Sequence, residues 1–455
     1  MKKLVLIIFA VLFSSISYSQ SGWINYLSGT NQQVRGIYFI NPNTGWFVAD
    51  TSAVFKTTNG GVNWIPKPVV YIIPIGLRAI KFLDSNTGYA VGGHEASGPY
   101  GGFYYQYVFR TTNGGDNWDL QYNVQGGGNC DLNDIYCSPS NIFVTGAGIS
   151  GYIGWGLTGG IFKSINGGSN FSFSFGRGES TSLSFINANT GWVNSYYASD
   201  DGSTKSFLMK TINAGVNWVE QIRDSVPFTT ALKIVKLQFV NESTGFAIGL
   251  KSGNKFLKTT NGGTNWAINV FPNFENTTLF FADANTGWIG GGSTPDTSCI
   301  SYTSNGGDTW IKQKRGYTCT VNCLYFINGL TGWAGLSNGQ IMKTVNSGIT
   351  SASQTSTEIP SAYSLSQNYP NPFNPTTTIR FSIVNGFPIG SLGNDKVMLK
   401  VYDIMGKEVQ TLVNERLQPG TYEASFDGSM LNSGVYFYKL VTDGYTETKK
   451  MLMVK

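Results

Sequence analysis

Five acids and one imidazole could carry hydrolytic chemistry in this chain: Glu95, Asp131, Asp134, Asp200 and Asp201, with His94 beside Glu95. Two carboxyl groups facing across a cleft suffice to hydrolyse a glycoside, one protonating the leaving oxygen and the other serving as base or nucleophile. His94 could act as a general base. Each acid reads more simply as a solvated loop acid or a turn cap, so no catalytic residue is assigned. Serine-nucleophile chemistry is not expected. One histidine and no Cys-x-x-Cys pair argue against a metal site, and nothing calls for a cofactor.

A second group suits binding. Tyr104, Tyr105, Tyr152, Trp155, Tyr196 and Tyr197 stand in glycine-rich stretches near Glu95 and Asp200. Tyrosine and tryptophan offer large contact area at low entropic cost, which fits sugar faces or peptides. Some of these rings would serve only to pin their own loops.

What positions them is a repeat. Thr or Ser, any residue, Asn, any residue, Gly occurs seven times, centred on Asn59, Asn113, Asn166, Asn213, Asn261, Asn305 and Asn346. Successive copies lie 41 to 54 residues apart, the period of a four-stranded propeller blade. In each turn the Asn side chain is expected to bond the backbone two residues on, and the Gly to take a positive φ. Trp64, Trp118, Trp218, Trp266 and Trp310, with Phe171 in the third copy, close the phrase and can wedge between neighbouring sheets. In phase with it run inner-strand segments such as Ile37-Tyr38-Phe39 and Leu324-Tyr325-Phe326, most followed by Thr-Gly and an aromatic, as in Thr44-Gly45-Trp46.

The phrases Thr57 to Trp64 and Thr303 to Trp310 resemble the Asp-box, or BNR, repeat of sialidases and related propellers, with Asn in place of the usual Asp. That resemblance implies a structural turn at the blade periphery, remote from any active centre. A sialidase would also need an arginine cluster on the substrate carboxylate. Among Arg35, Arg78, Arg110, Arg177, Arg223 and Arg315 none can be assigned to one. Over about residues 21–350 the alternation of box and Thr-Gly-aromatic turn resembles the photosystem II stability and assembly factor propellers. The expected fold is all-β: a seven-bladed β-propeller followed by a small Ig-like β-sandwich.

The seventh copy runs into Ser351 where a Trp should stand, while residues 21–27 hold a spare strand with Trp23. That strand is expected to complete the last blade and close the ring, removing open sheet edges.

Residues 1–19 read as a signal peptide: Lys2 and Lys3, an apolar core from Leu4 to Leu12, and a small-residue cleavage site before Gln20. The propeller is expected over 20–350, a Ser/Thr-rich linker over 351–366 and a β-sandwich over 367–455. The last segment carries Asn368-Tyr369-Pro370-Asn371-Pro372-Phe373-Asn374-Pro375, Val401-Tyr402-Asp403, the pairs Gly420-Thr421-Tyr422 and Gly434-Val435-Tyr436, and Lys449, Lys450 and Lys455. It resembles the type A sorting domain of the type IX secretion system of Bacteroidetes. The resemblance implies export across the outer membrane, with the type IX machinery as partner.

Charged residues make up only 13% of the chain, and a formal net charge of +5 is scattered without a basic run, which argues against nucleic acid. Among Cys130, Cys137, Cys299, Cys319 and Cys323 the odd count leaves one unpaired, and one disulfide among the last three is plausible. Cys137 stands where other copies have Phe and reads as a small buried hydrophobe.

The uniform turns, strand one to two and three to four, share one face. The connections that grow, 93–105, 146–160, 195–205 and 291–298, belong to the other, and loops on a rigid scaffold are where function concentrates. The sequence thus points to a secreted or surface-attached binding module for a glycan or protein, the alternative being an extracellular glycoside hydrolase.

Overall fold

The structure is a computed structural model that describes residues 22–69, 75–96, 103–127, 132–146, 160–175, 179–198, 203–227, 233–250, 254–270, 276–292, 299–315, 319–345, 347–348, 352–356, 358–384, 395–428 and 431–454. Every regular element among them is a strand, and the strands form nine four-stranded antiparallel sheets. Seven follow the repeat. Their innermost strands, in chain order, are Val34–Phe39, Gly76–Phe82, Leu132–Cys137, Leu183–Phe185, Lys233–Phe239, Asn276–Phe281 and Val321–Phe326, and all seven line one cavity. This is a β-propeller, and we number its sheets one to seven.

Each repeated residue has a mechanical task. After the inner strand, Asn41 accepts hydrogen bonds from the amides of Asn43 and Thr44, making a tight turn, and Asp84, Asn187, Asn241, Asp283 and Asn328 do the same. The glycine that follows leaves room for a ring: a Cβ on Gly45 would lie 2.4 Å from Phe39 of the same sheet. Trp46 then lies flat on Phe82 of the next sheet, centroids 3.6 Å apart, and its Nε1 donates to the Gly114 carbonyl at 3.1 Å. Trp192, Trp288 and Trp333 repeat both contacts, the last onto Phe39 and Gly60 of sheet one. Every such ring therefore fastens its sheet to the following one.

Contrary to the expectation, Asn59 does not bond the backbone two residues on. Its Oδ1 accepts from the Asn63 amide, four residues on, at 2.9 Å and from the Thr57 hydroxyl at 3.0 Å. Gly60 and Gly61 both take positive φ, and this curl brings the later amide round to the side chain. Asn113, Asn166, Asn213, Asn261 and Asn305 bond alike, whereas Asn346 lies outside the described residues. Trp64, Trp118, Trp218, Trp266 and Trp310 meet the inner-strand Phe of their own sheets edge-on, at 5.8 to 6.3 Å.

The amino-terminal strand Ile24–Tyr26 pairs with Ile341–Lys343 as the fourth strand of sheet seven. Trp23 meets Phe326 edge-on at 5.7 Å, the position that the repeat's own tryptophan takes elsewhere.

Two further sheets share a second apolar core. One orders Ser353–Ser356, Gly420–Asp427, Thr376–Ile383 and Ser364–Leu365; the other Glu408–Leu417, Asp395–Tyr402, Gly434–Val441 and Thr446–Met453. The segment expected as a linker thus supplies two strands, because Ser353 and Gln354 pair with Glu423 and Tyr422. Glu408–Leu417 is a strand that the apolar pattern does not announce, since acids and amides interrupt Val409, Leu412, Val413 and Leu417. The proline-rich loop is sewn to the final strand: Phe373 is buried, its amide donates to the Leu452 carbonyl, and Asn371 accepts from the Leu452 amide.

The glycine role is testable. In Gly332→Ala the new Cβ would stand 2.2 Å from the Phe326 ring, an overpacking expected to cost about 1–3 kcal/mol in denaturant unfolding. Gly434→Ala meets nothing closer than 4.0 Å, so its unfolding midpoint should hardly move.

Candidate functional site

The seven inner strands enclose a cavity of about 300 Å3 on the propeller axis. Its polar character comes from two levels. At the level farther from the repeated turns, six of the seven inner strands carry a β-bulge, between Val34 and Gly36, Leu77 and Ala79, Leu132 and Asp134, Ile234 and Lys236, Asn276 and Thr278, and Val321 and Cys323. A bulge re-aims the residue it adds. Here those residues are Arg35, Arg78, Asn133, Val235, Thr277 and Asn322.

Three of them, with Thr181 at the matching place in sheet four, tie one sheet to the next. Asn322 donates to the Val34 carbonyl and Asn133 to that of Ser180, both at 3.2 Å, while the hydroxyls of Thr181 and Thr277 donate to Ile234 and Val321. Arg35 and Arg78 break the pattern by sharing one carboxylate. Arg35 reaches Asp50 with Nε and Nη2 at 2.9 and 2.6 Å, and Arg78 Nη1 reaches it at 2.9 Å. The mouth of the cavity thus holds two guanidiniums and the carboxylate they share.

One residue before the ring position lies the second level, with Tyr38, Lys81, Tyr136, Ser184, Gln238, Phe280 and Tyr325. Tyr38 and Tyr325 donate to the Phe82 and Phe39 carbonyls, and Gln238 brackets the Phe281 backbone with both amide atoms. Burial raises the pKa of both tyrosines and lowers that of Lys81.

Of the candidate acids, the structure places Asp134 in the cavity wall, which corrects its reading as a solvated loop acid. It is buried, accepts from the Ile135 amide and the Ser182 hydroxyl, and pairs with Lys236 Nζ at 2.7 Å. Among the described residues lining the cavity it is the one carboxylate, so an opposed carboxylate pair is not formed there. Asp131, Tyr152, Trp155, Asp200 and Asp201 lie outside the described residues, as do the side chains of Glu95, Tyr104 and Tyr197.

Tyr105 and Tyr196 stand on hairpins that rise beyond the rest. The second strand of sheet two, Gly88–Ala96, has nine residues and that of sheet four, Gly191–Ala198, eight, against five in sheets one, three, six and seven. At about 3.3 Å per residue these hairpins stand roughly 10–13 Å higher, on the face where Arg35 and Arg78 sit. Tyr105 is half-buried and stacks on Tyr107, opposite His94 in register. Tyr196 is half-buried under the Lys233 ammonium, 4.2 Å from its ring centre.

Reading the sequence misses Arg35, Arg78, Lys81 and Lys236 as a set. A signal exists: the position four before the ring residue is polar in six of seven copies, although strict strand alternation gives no reason to single it out. A Gly-x-Ser-x-Gly string, which the expectation against serine chemistry passes over, does occur at Gly335-Leu336-Ser337-Asn338-Gly339. It forms a strand-to-strand turn in which Ser337 Oγ accepts the Thr320 amide, and no helix follows it. Cys137, half-buried with its thiol pushed up to about 12 by burial, and buried Cys323 are both free thiols.

The carboxyl-terminal sandwich decides the destination. Residues 367–455 match the secretion system C-terminal sorting domain. This domain marks proteins that the type IX system delivers to the cell surface or extracellular space. No curated protein matches the chain in sequence. Among solved structures, YCF48 bound to a D1 peptide is similar at TM-score 0.52 with 16% identity, covering 71% of this chain and 97% of that one. YCF48 from Cyanidioschyzon merolae is similar at 0.47, also with 16% identity, covering 71% and 98%. A polysaccharide lyase of the ulvan lyase family PL25 is similar at 0.44 with 10% identity, covering 71% and 94%. The likeness at 0.52 shows the propeller fold alone. Among the described residues no helix is long and apolar enough to cross a membrane.

Proposed function

We propose that the exported chain is a binding module that takes a glycan or protein ligand on the propeller face where the axial cavity opens. The observation that carries this reading is the inequality of the two faces. One keeps the same short turns in six of the seven sheets among the described residues; the other raises the hairpins of sheets two and four, with Tyr105 and Tyr196, beside the guanidiniums of Arg35 and Arg78. YCF48, a propeller of similar fold, is seen with a D1 peptide bound, which supports a peptide as one class of ligand. In this reading residues 1–19 are a cleaved leader, the repeated turns are Asp-boxes with a structural role, and the propeller fills 20–350.

The mature full-length protein, probed on glycan and peptide arrays, should yield a ligand whose binding weakens by about 1–2 kcal/mol in Tyr105→Ala and in Tyr196→Ala. Loss of binding only on substitution in the repeated turns would place the ligand on the opposite face. The same polysaccharides serve as hydrolysis substrates: turnover abolished by Glu95→Gln or Asp200→Asn would replace the binding reading with a two-carboxylate hydrolase.

A further inference from the structure

We propose that the axial cavity is a binding site for a small organic monocarboxylate, held by the ammonium of Lys81. This concerns the interior of the propeller, so it stands or falls separately from the hairpin surface.

The argument is one of charge balance. Lys81 lines the cavity from the inner strand of sheet two, yet among the described residues it has neither a hydrogen bond nor an ion pair. What its ammonium meets is the face of Tyr38, 5.3 Å from the ring centre. The other cations of the cavity are engaged, Lys236 by Asp134 and the two arginines by Asp50. A cation–π contact offsets only part of what an ammonium loses on leaving water. Burial accordingly lowers the Lys81 pKa, with Lys236 acting in the same sense and Asp134 opposing.

A structure has little reason to keep an unneutralised ammonium lining a cavity unless that cavity holds its counter-charge. One uncompensated cation matches one negative charge. A dianion would place its second charge in a cavity that Asp134 also lines. The guanidiniums of Arg35 and Arg78, which share Asp50, stand at the mouth on the path an anion would take inward. About 300 Å3 is the lower end of ligand pockets, which fits a molecule the size of one acidic sugar or amino acid.

Calorimetric titration of the mature full-length protein at low ionic strength, with acetate, glucuronate and inorganic phosphate as probes, tests this. A carboxylate is expected to bind saturably, at least tenfold more weakly in Lys81→Met, with most of the affinity restored in Lys81→Arg. Lys81→Met should also melt no lower than the parent, because it removes an unpaired charge from the interior. No saturable carboxylate binding, equal affinity in Lys81→Met, or a preference for phosphate would each overturn the assignment. A lowered melting point in Lys81→Met with unchanged carboxylate binding would show that the lysine serves the fold and no ligand.

Discussion

Trp23→Ala is expected to lower the unfolding free energy by about 3–5 kcal/mol, the range for emptying a buried tryptophan site. The ring is only 3% exposed, lies edge-on to Phe326, and donates from Nε1 to Gln313 at 2.9 Å. Gln313 in turn donates to the Ser347 carbonyl, so the substitution leaves a buried acceptor without its donor inside a two-bond chain. It also loosens the strand whose pairing with Ile341–Lys343 closes the circle, and an open circle exposes two sheet edges. Trp266→Ala, at the matching place in sheet five but half-buried, should cost less. Denaturant unfolding followed by far-UV circular dichroism measures both. An unchanged midpoint for Trp23→Ala would mean that the strand adds nothing to the closed ring.

Removal of residues 352–455 should abolish delivery to the cell surface or medium, leaving the chain in the periplasm. The sorting domain is the address, and among the described residues its core shares no apolar cluster with the propeller. The structure dictates where to cut. Ending the chain at residue 366 would keep Ser353–Ser356 while deleting its partner Thr421–Glu423, and so leave a bare strand prone to aggregation. Cell fractionation and immunoblotting read the outcome, and export of the truncated chain at the parental level would contradict it.

The repeat was legible because each element of it obeys a local rule. Asn-x-Gly specifies a turn whatever surrounds it, and the missing seventh tryptophan together with the spare Trp23 announces the closure that Ile24–Tyr26 makes. The sorting segment was legible for the same reason, since its proline-rich loop and the Gly-x-Tyr triplets that open two of its strands are each contiguous. Even there one strand, Glu408–Leu417, is not announced by the sequence, because its apolar residues are spaced by charges and amides that break strict alternation.

The axial site was not legible, and the reason is geometric. Lys81, Asp134 and Lys236 come from three inner strands, 53 and 102 residues apart in turn, and only closure of the ring brings them to one cavity. Alternation assigns a face to each strand residue, but the bulges displace that assignment by one, so Arg35 and Arg78 meet on Asp50 instead of following the period-two pattern. Local propensity and turn chemistry determined the number of repeats, the tight turns and the export signal. Which cations are neutralised and which, like Lys81, is left facing the axis depended on long-range packing, because a charge balance is a property of neighbours in space and the chain alone does not say who they are.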